Sequence, residues 1–152
     1  MTDRNHDTAI LNTLIATTID SINGYEDAAE HIQSESLRES FRQRANERQS
    51  AVEDMRAEVR RIGGEPEDDG TIMGKTHQRF LDLKAAITGR DEKAILNEVE
   101  RGEDYLKEKF ETVLDNSDLS GECRAVVEKA YQSVKSGHDQ ASQLKHGMET
   151  PA

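Results

Sequence analysis

Five segments of this chain carry apolar residues at the spacing of an amphipathic helix, and their order restricts the fold more than any other feature. Residues that recur every three or four positions fall on one face of a helix, where they can be buried together. The segments are Leu11–Ile32, Leu37–Ile62, Ile72–Ile87, Ile95–Leu114 and Leu119–Leu144. We therefore predict an all-α, antiparallel four-helix bundle. Its short third segment would be a helical crossover between the second and third long helices.

Residues that begin or end helices lie at most of the expected boundaries. Asp7 is expected to cap the first helix, because its carboxylate can accept hydrogen bonds from free backbone amides. Ser36 and Glu39 form the Ser-x-x-Glu pattern of a capping box at the start of the second helix. Gly63-Gly64 is a helix exit, and Asp91 is expected to cap the third long helix.

The composition fits a bundle of thin helices. Apolar residues make up 34% of the chain, and charged residues make up the same share. The regular helical spacing argues against disorder, which is the other interpretation of such polarity. We expect a single domain over residues 1–152, with an ordered core at about 7–146 and frayed ends.

The net charge of −11 restricts the class of partner. A chain this acidic is repelled by nucleic acid and by anionic membranes, so we expect neither as a partner. The single cysteine, Cys123, excludes an internal disulfide and fits a reducing compartment. The first eight residues lack the apolar run of a signal peptide, and no segment has the length of a membrane span. These features predict a cytoplasmic protein.

A group of polar residues falls on or beside the predicted buried faces near the middle of the helices. Glu103 lies in the apolar arc of the third long helix, and a buried carboxylate is costly unless it is paired. Arg48 and Arg44 lie in the arc of the second helix and can supply the countercharge. Tyr25 faces inward from the first helix, with Glu26 on its flank. The pattern predicts a buried network of these residues that fixes helix register.

A metal site is the alternative interpretation of these carboxylates. Di-metal bundles use a Glu from each of two helices and a Glu-x-x-His from each of the other two. None of the five histidines has a Glu three residues before it. An irregular iron or manganese site built from Glu26, Glu103 and His138, with Tyr25 beside them, stays open. The leading interpretation has no cofactor and no catalytic residue.

Several short sequences along the chain resemble a known bacterial family of unknown function with a ferritin-like four-helix bundle. They include Leu11-Asn12-Thr13-Leu14-Ile15, Gly24-Tyr25, Val59 to Pro66, Leu83-Lys84, Glu100 to Asp104 and Tyr131 to Asp139. The resemblance runs from about residue 9 to residue 144. It implies the ferritin-like fold and little chemistry, because no activity is established for that family.

The function predicted from these observations is non-enzymatic. We expect a helical module that acts by self-association or by binding a protein, and the sequence does not identify that protein. One form of this hypothesis links the function of the module to stress. A homo-oligomer is expected, with a dimer favoured. The main alternative is a di-metal or single-metal carboxylate protein with iron-linked redox activity. A small apolar ligand held between the helices is a third possibility.

Overall fold

The described part of the chain forms four long α-helices. The computed structural model describes residues 4–67, 85–86, 88–89, 92–116 and 118–149, without the side chains of 4, 116 and 140–149. Within these residues the helices are α1 (Arg4–His31), α2 (Glu35–Arg61), α3 (Glu92–Asn116) and α4 (Gly121–Glu149). They pack against one another, which confirms the predicted all-α bundle.

The helices are arranged as two antiparallel hairpins. Short connections join α1 to α2 and α3 to α4, and each helix packs most closely on its hairpin partner. The hairpins meet through α1 against α3 and α2 against α4. As a result, α2 and α3 stand at diagonally opposite corners of the bundle.

Two contacts fix the direction of the second hairpin. The Ser34 amide, between α1 and α2, donates to Glu92 Oε1 at 3.4 Å, so α3 begins at that end. The Cys123 thiol donates to Glu58 Oε2 at 3.2 Å, so α4 begins beside the end of α2. The chain therefore leaves α2 at one end of the bundle and enters α3 at the other. The predicted crossover helix, Ile72–Ile87, lies outside the described residues except for Ala85 and Ala86, which are helical.

The core contains the apolar residues that the helical spacing predicts. Nearly all the expected positions are buried: Leu11, Leu14, Ile15, Ile22, Tyr25, Ala29, Ile32, Leu37, Phe41, Val52, Met55, Val59, Ile62, Ile95, Val99, Leu106, Phe110, Val113, Cys123, Val127, Ala130 and Val134. Leu119 is partly buried, and the side chains of Ala141 and Leu144 lie outside the described part. Among the described helices, none has the combined length and apolarity needed to cross a lipid bilayer.

Two of the predicted helix starts are wrong. The first helix begins at Arg4 rather than after Asp7, and Asp7 is a buried residue of its first turns. The second helix is capped by Ser34, whose side chain accepts from the Leu37 amide at 3.3 Å. Ser36 is already helical, because the extended backbone that a cap requires occurs at Ser34. Asp91 lies outside the described residues.

The predicted exit of the second helix is confirmed. Gly63 has a φ of 87°, its amide donates to the Arg60 carbonyl at 3.0 Å, and the Gly64 amide donates to the Val59 carbonyl at 2.9 Å. These two bonds form a Schellman motif, which satisfies carbonyls that the helix end leaves open.

The end of α1 is closed by a side chain from the next helix. Arg38 Nε donates to the Ala29 carbonyl at 3.1 Å, and Arg38 Nη2 donates to the Ile32 carbonyl at 2.8 Å. A cation at a helix carboxyl end is also favoured by the helix dipole. Arg38 therefore joins α2 to the end of α1 and holds the hairpin turn.

Replacing the observed cap should cost more than replacing the predicted one. Ser34→Ala removes the side-chain acceptor of the Leu37 amide, so we expect a loss of about 1 kcal/mol in the free energy of unfolding. Ser36→Ala should change it by less than about 0.5 kcal/mol, as for a surface substitution. Urea unfolding followed by circular dichroism measures both, and a larger effect at Ser36 would contradict the observed cap.

Candidate functional site

The centre of the bundle holds a buried ion pair between diagonal helices. Arg48 Nη1 of α2 donates to Glu103 Oε1 of α3, and Arg48 Nη2 donates to Glu103 Oε2, both at 2.7 Å. The side chains are 0% and 1% exposed. This bidentate geometry uses both carboxylate oxygens, which is the strong form of an arginine–carboxylate pair.

The first helix contributes two polar groups to this layer. Arg48 Nη1 also donates to Ser21 Oγ at 2.8 Å. The Arg48 guanidinium lies 5.7 Å from the centroid of the Tyr25 ring, within the range of a cation–π contact. Tyr25 is also close enough to Glu103 for that carboxylate to raise the pKa of its hydroxyl. The first helix therefore contacts Arg48 directly and lies beside Glu103.

The fourth helix contributes space rather than a polar group. Gly137 is buried, and a Cβ added there would lie 2.8 Å from Arg44 Cδ and 3.0 Å from Arg44 Nε, with Arg48 Nη2 closer still. The absent side chain is what allows both arginines to lie against α4. Arg44 is itself buried and forms an ion pair with Glu47, one turn further along α2.

Burial and charge act together on the ionisable groups of this layer. Burial raises the pKa of Tyr25 well above its usual value, and the negative charge of Glu103 raises it further against the opposing charge of Arg48. Burial alone would lower the pKa of Arg48, but the charge and hydrogen bonds of Glu103 outweigh it, so the pKa of Arg48 is raised. Arg48 therefore stays a cation and Tyr25 stays a neutral hydrogen-bond donor.

Two of the sequence candidates lie outside this layer. Glu26 is exposed, because one residue along a helix turns the side chain about 100° away from inward-facing Tyr25. Its predicted place in the buried network is wrong. His138 is partly exposed, and its Nε2 is in hydrogen-bond contact with the Asp104 carboxylate on the outside of α3.

The residues of this layer do not fit a metal site. Both oxygens of Glu103 are held by a guanidinium, and Arg44 lies in the same layer as a second buried cation. Of the other two candidate ligands, Glu26 is exposed and His138 contacts Asp104 instead of the central layer. Within the described ranges, no group of three or more His, Cys, Asp or Glu residues is placed to hold a metal ion. The arrangement instead fixes the relative position of the helices.

Two members of the layer are missing from the sequence prediction. Ser21 precedes Tyr25 by one helical turn, so its place on the same inward arc could have been found. Gly102 of α3 does not allow a close helix contact, because a Cβ there would meet none of the described atoms within 4 Å. Gly137 has that role, and only the position of the arginines on another helix shows it.

A second polar cluster, with a buried Glu58 and Cys123 and an exposed Arg61, lies at the end of the bundle where α2 ends and α4 begins. Glu58 accepts from Arg61 Nε at 2.7 Å and from Nη2 at 2.6 Å, and it also accepts from the Cys123 thiol. Arg61 Nη2 reaches Glu122 of α4 at 2.7 Å. The hydrogen bonds from Arg61 hold the pKa of Glu58 below its usual value. This cluster therefore ties the start of α4 to α2.

The thiol in this cluster is buried, and its surroundings disfavour the thiolate form. Burial raises the pKa of Cys123 to about 11, with a contribution from the negative charges of Glu58 and Asp7. Asp7, read from the sequence as a helix cap, is only 1% exposed and lies close enough to act on the thiol. Its position on the inward arc with Leu11 and Leu14 was the signal that the cap interpretation overlooked.

Breaking the central ion pair on one side should destabilise the bundle strongly. Arg48→Met or Glu103→Leu leaves a buried charge without its partner, so each should lower the free energy of unfolding by about 3–5 kcal/mol. The double replacement removes both charges and should recover most of that loss. Urea unfolding of the wild type, the two single variants and the double variant gives a double-mutant cycle. Additive effects of the two single replacements would show that the pair is not coupled.

The two glycines should respond in opposite directions to the same substitution. Gly137→Ala must displace Arg44 and Arg48, so we expect a loss of about 1–3 kcal/mol, as for overpacking. Gly102→Ala meets open space inside a helix and should stabilise the protein by about 0.5–1 kcal/mol. Thermal and urea unfolding of both variants measure this. A stabilising Gly137→Ala would contradict the close packing of the arginines against α4.

The Cys123 thiol should resist alkylation until the protein unfolds or the pH is high. At pH 8 the folded thiol with a pKa of about 11 is almost fully protonated, whereas an unfolded cysteine has a pKa near 8.5. We expect labelling by iodoacetamide at least about 100-fold slower in buffer than in urea. The stability that this raised pKa confers is present below about pH 8.5 and is lost as the pH rises to about 11. Equal labelling rates in the two conditions would be inconsistent with the buried thiol.

The chain is similar in sequence to a known protein family. No curated protein matches the chain. A family described as Domain of unknown function (DUF2383) matches residues 7–116, which include α1, α2 and α3 with Tyr25, Arg48 and Glu103. The sequence resemblance over Tyr131 to Asp139 lies beyond that match. The chain therefore belongs to the DUF2383 family.

Proposed function

We propose that this protein is a non-enzymatic, ferritin-like helical bundle that acts without a bound metal, by self-association or by binding a protein. The observation that supports the proposal most directly is the bidentate Arg48–Glu103 pair. It places a fixed cation against the central carboxylate that a metal ion would need. The polar groups of the interior are thereby used to hold helices together.

The ferritin-like part of the proposal rests on the course of the chain. The first hairpin ends at the end of the bundle opposite to the start of α3. A bundle of two hairpins joined by one long crossover connection is the arrangement of ferritin-like folds. The proposal thus combines that topology with a central layer in which an ion pair occupies the place that metal ligands have in di-metal bundles.

The outer surface is where such a bundle can act. The net charge of −11 disfavours nucleic acid and anionic membranes, which leaves proteins as the class of partner. We favour a dimer, because a thin bundle with buried charge gains apolar burial by pairing with a copy of itself. In this proposal the protein is cytoplasmic, where an unpaired thiol such as Cys123 persists.

Elemental analysis tests the metal-free part of the proposal. Protein purified without a chelator, before and after loading with ferrous iron, should hold far less than one iron or manganese per chain after desalting. Glu103→Gln should behave in the same way, with Glu128→Gln as the matched change at an exposed glutamate on α4.

A different result would support the metal alternative. One or more tightly held ions per chain in the wild type and in Glu128→Gln, lost in Glu103→Gln, would overturn the proposal. It would favour a carboxylate-bound iron or manganese centre with redox activity at Glu103.

A further inference from the structure

A groove on the surface between α1 and α3 has the properties of a contact surface. It has a volume of about 390 Å³ and lies between the first turns of α1 and the last turns of α3. Ile10 and Val113 give it an apolar base, and Tyr105 lines it from α3. Glu108 and Lys109 lie beside each other along the α3 side. Tyrosine and apolar residues at the centre with charges beside them are typical of protein interfaces.

We propose that this groove binds a second copy of the same chain through a two-fold axis between Glu108 and Lys109 of α3. The inference rests on the proposed self-association and names its surface. In this arrangement the two α3 helices run antiparallel, and the outer ridge of each lies in the α1–α3 groove of the other. An interface of this kind uses the same patch on both copies.

Together with the apolar lining of the groove, the charge pattern favours a second copy as the occupant. An antiparallel contact centred between residues 108 and 109 places Glu108 against Lys109 of the second copy, and Lys109 against its Glu108. The same register places Tyr105 against Thr112 of the second copy, and both residues line the groove. The groove is therefore complementary to itself in charge, although the protein as a whole is strongly acidic.

The overall charge gives the association a characteristic salt dependence. Two molecules with a net charge of −11 repel each other at long range. Salt screens that repulsion over about 8 Å at physiological ionic strength, whereas the contacts within the groove act at shorter distance. We therefore expect dimerisation to strengthen between low and moderate salt concentration.

A charge exchange tests the proposed surface. Glu108→Lys and Lys109→Glu each place like charges together twice in a homodimer, so each variant should dimerise about tenfold more weakly or worse by sedimentation velocity. An equimolar mixture of the two variants restores both opposite-charge contacts and should form the dimer again. Circular dichroism of each variant checks that it is folded.

The matched control is the neighbouring pair Glu128 and Lys129 on α4. Lys129 Nζ lies 3.4 Å from Asp54 Oδ2 of α2. Glu128 and Lys129 therefore belong to the α2–α4 side of the bundle, away from the groove. Glu128→Lys and Lys129→Glu change the net charge by the same amounts and should leave the dimer intact.

The outcomes separate the surface from the proposed self-association. If the wild type dimerises and both groove variants do so equally well, the surface is wrong and self-association stands. If the wild type is monomeric at every concentration, self-association fails and the surface fails with it. If each groove variant is monomeric and their equimolar mixture is monomeric too, the antiparallel pairing is overturned.

Discussion

The structure depends on one interaction, the ion pair between Arg48 and Glu103. These residues come from helices at diagonal corners, so the pair crosses the centre of the bundle and connects the two hairpins. Isolated, either charge would be expensive to bury. Together, with Ser21 and Tyr25 as further partners, they specify one relative position of α2 and α3, because a shift of either helix would break both hydrogen bonds.

All four helices take part in that layer, but in different ways. The first supplies a hydroxyl and an aromatic ring, the second and third supply the charges, and the fourth supplies the space left by Gly137. Gly137 is as important to this layer as its polar side chains, because any side chain at residue 137 would displace the arginines. The cluster of Glu58, Arg61 and Cys123 repeats this principle at one end of the bundle, where a buried acid joins α2 to α4. Buried polar groups in this protein thus add contacts between helices to those of the apolar core.

The central layer also determines which chemistry is compatible with the fold. Bundles that hold two metal ions place several carboxylates and histidines inward at the same height. Here the Arg48 guanidinium binds both oxygens of the Glu103 carboxylate, Glu26 is exposed, and His138 contacts Asp104. The ion pair therefore occupies the centre of this all-α bundle and joins α2 to α3. The groove between α1 and α3 lies on the outside of the bundle, away from this layer.

The sequence by itself determined the helices, the apolar faces and the residues able to pair in the middle, because periodicity and charge are local properties that one helix displays alone. It placed Arg48 and Glu103 on inward arcs without showing that they meet. The helix starts at Asp7 and Ser36 were wrong because several polar residues nearby can serve as caps, and backbone conformation selects among them. Only the tertiary structure decided that Ser21, Gly137 and Glu58 belong to buried clusters and that Glu26 and Gly102 do not. Those roles depend on which side chain arrives from another helix, and no single helix encodes that.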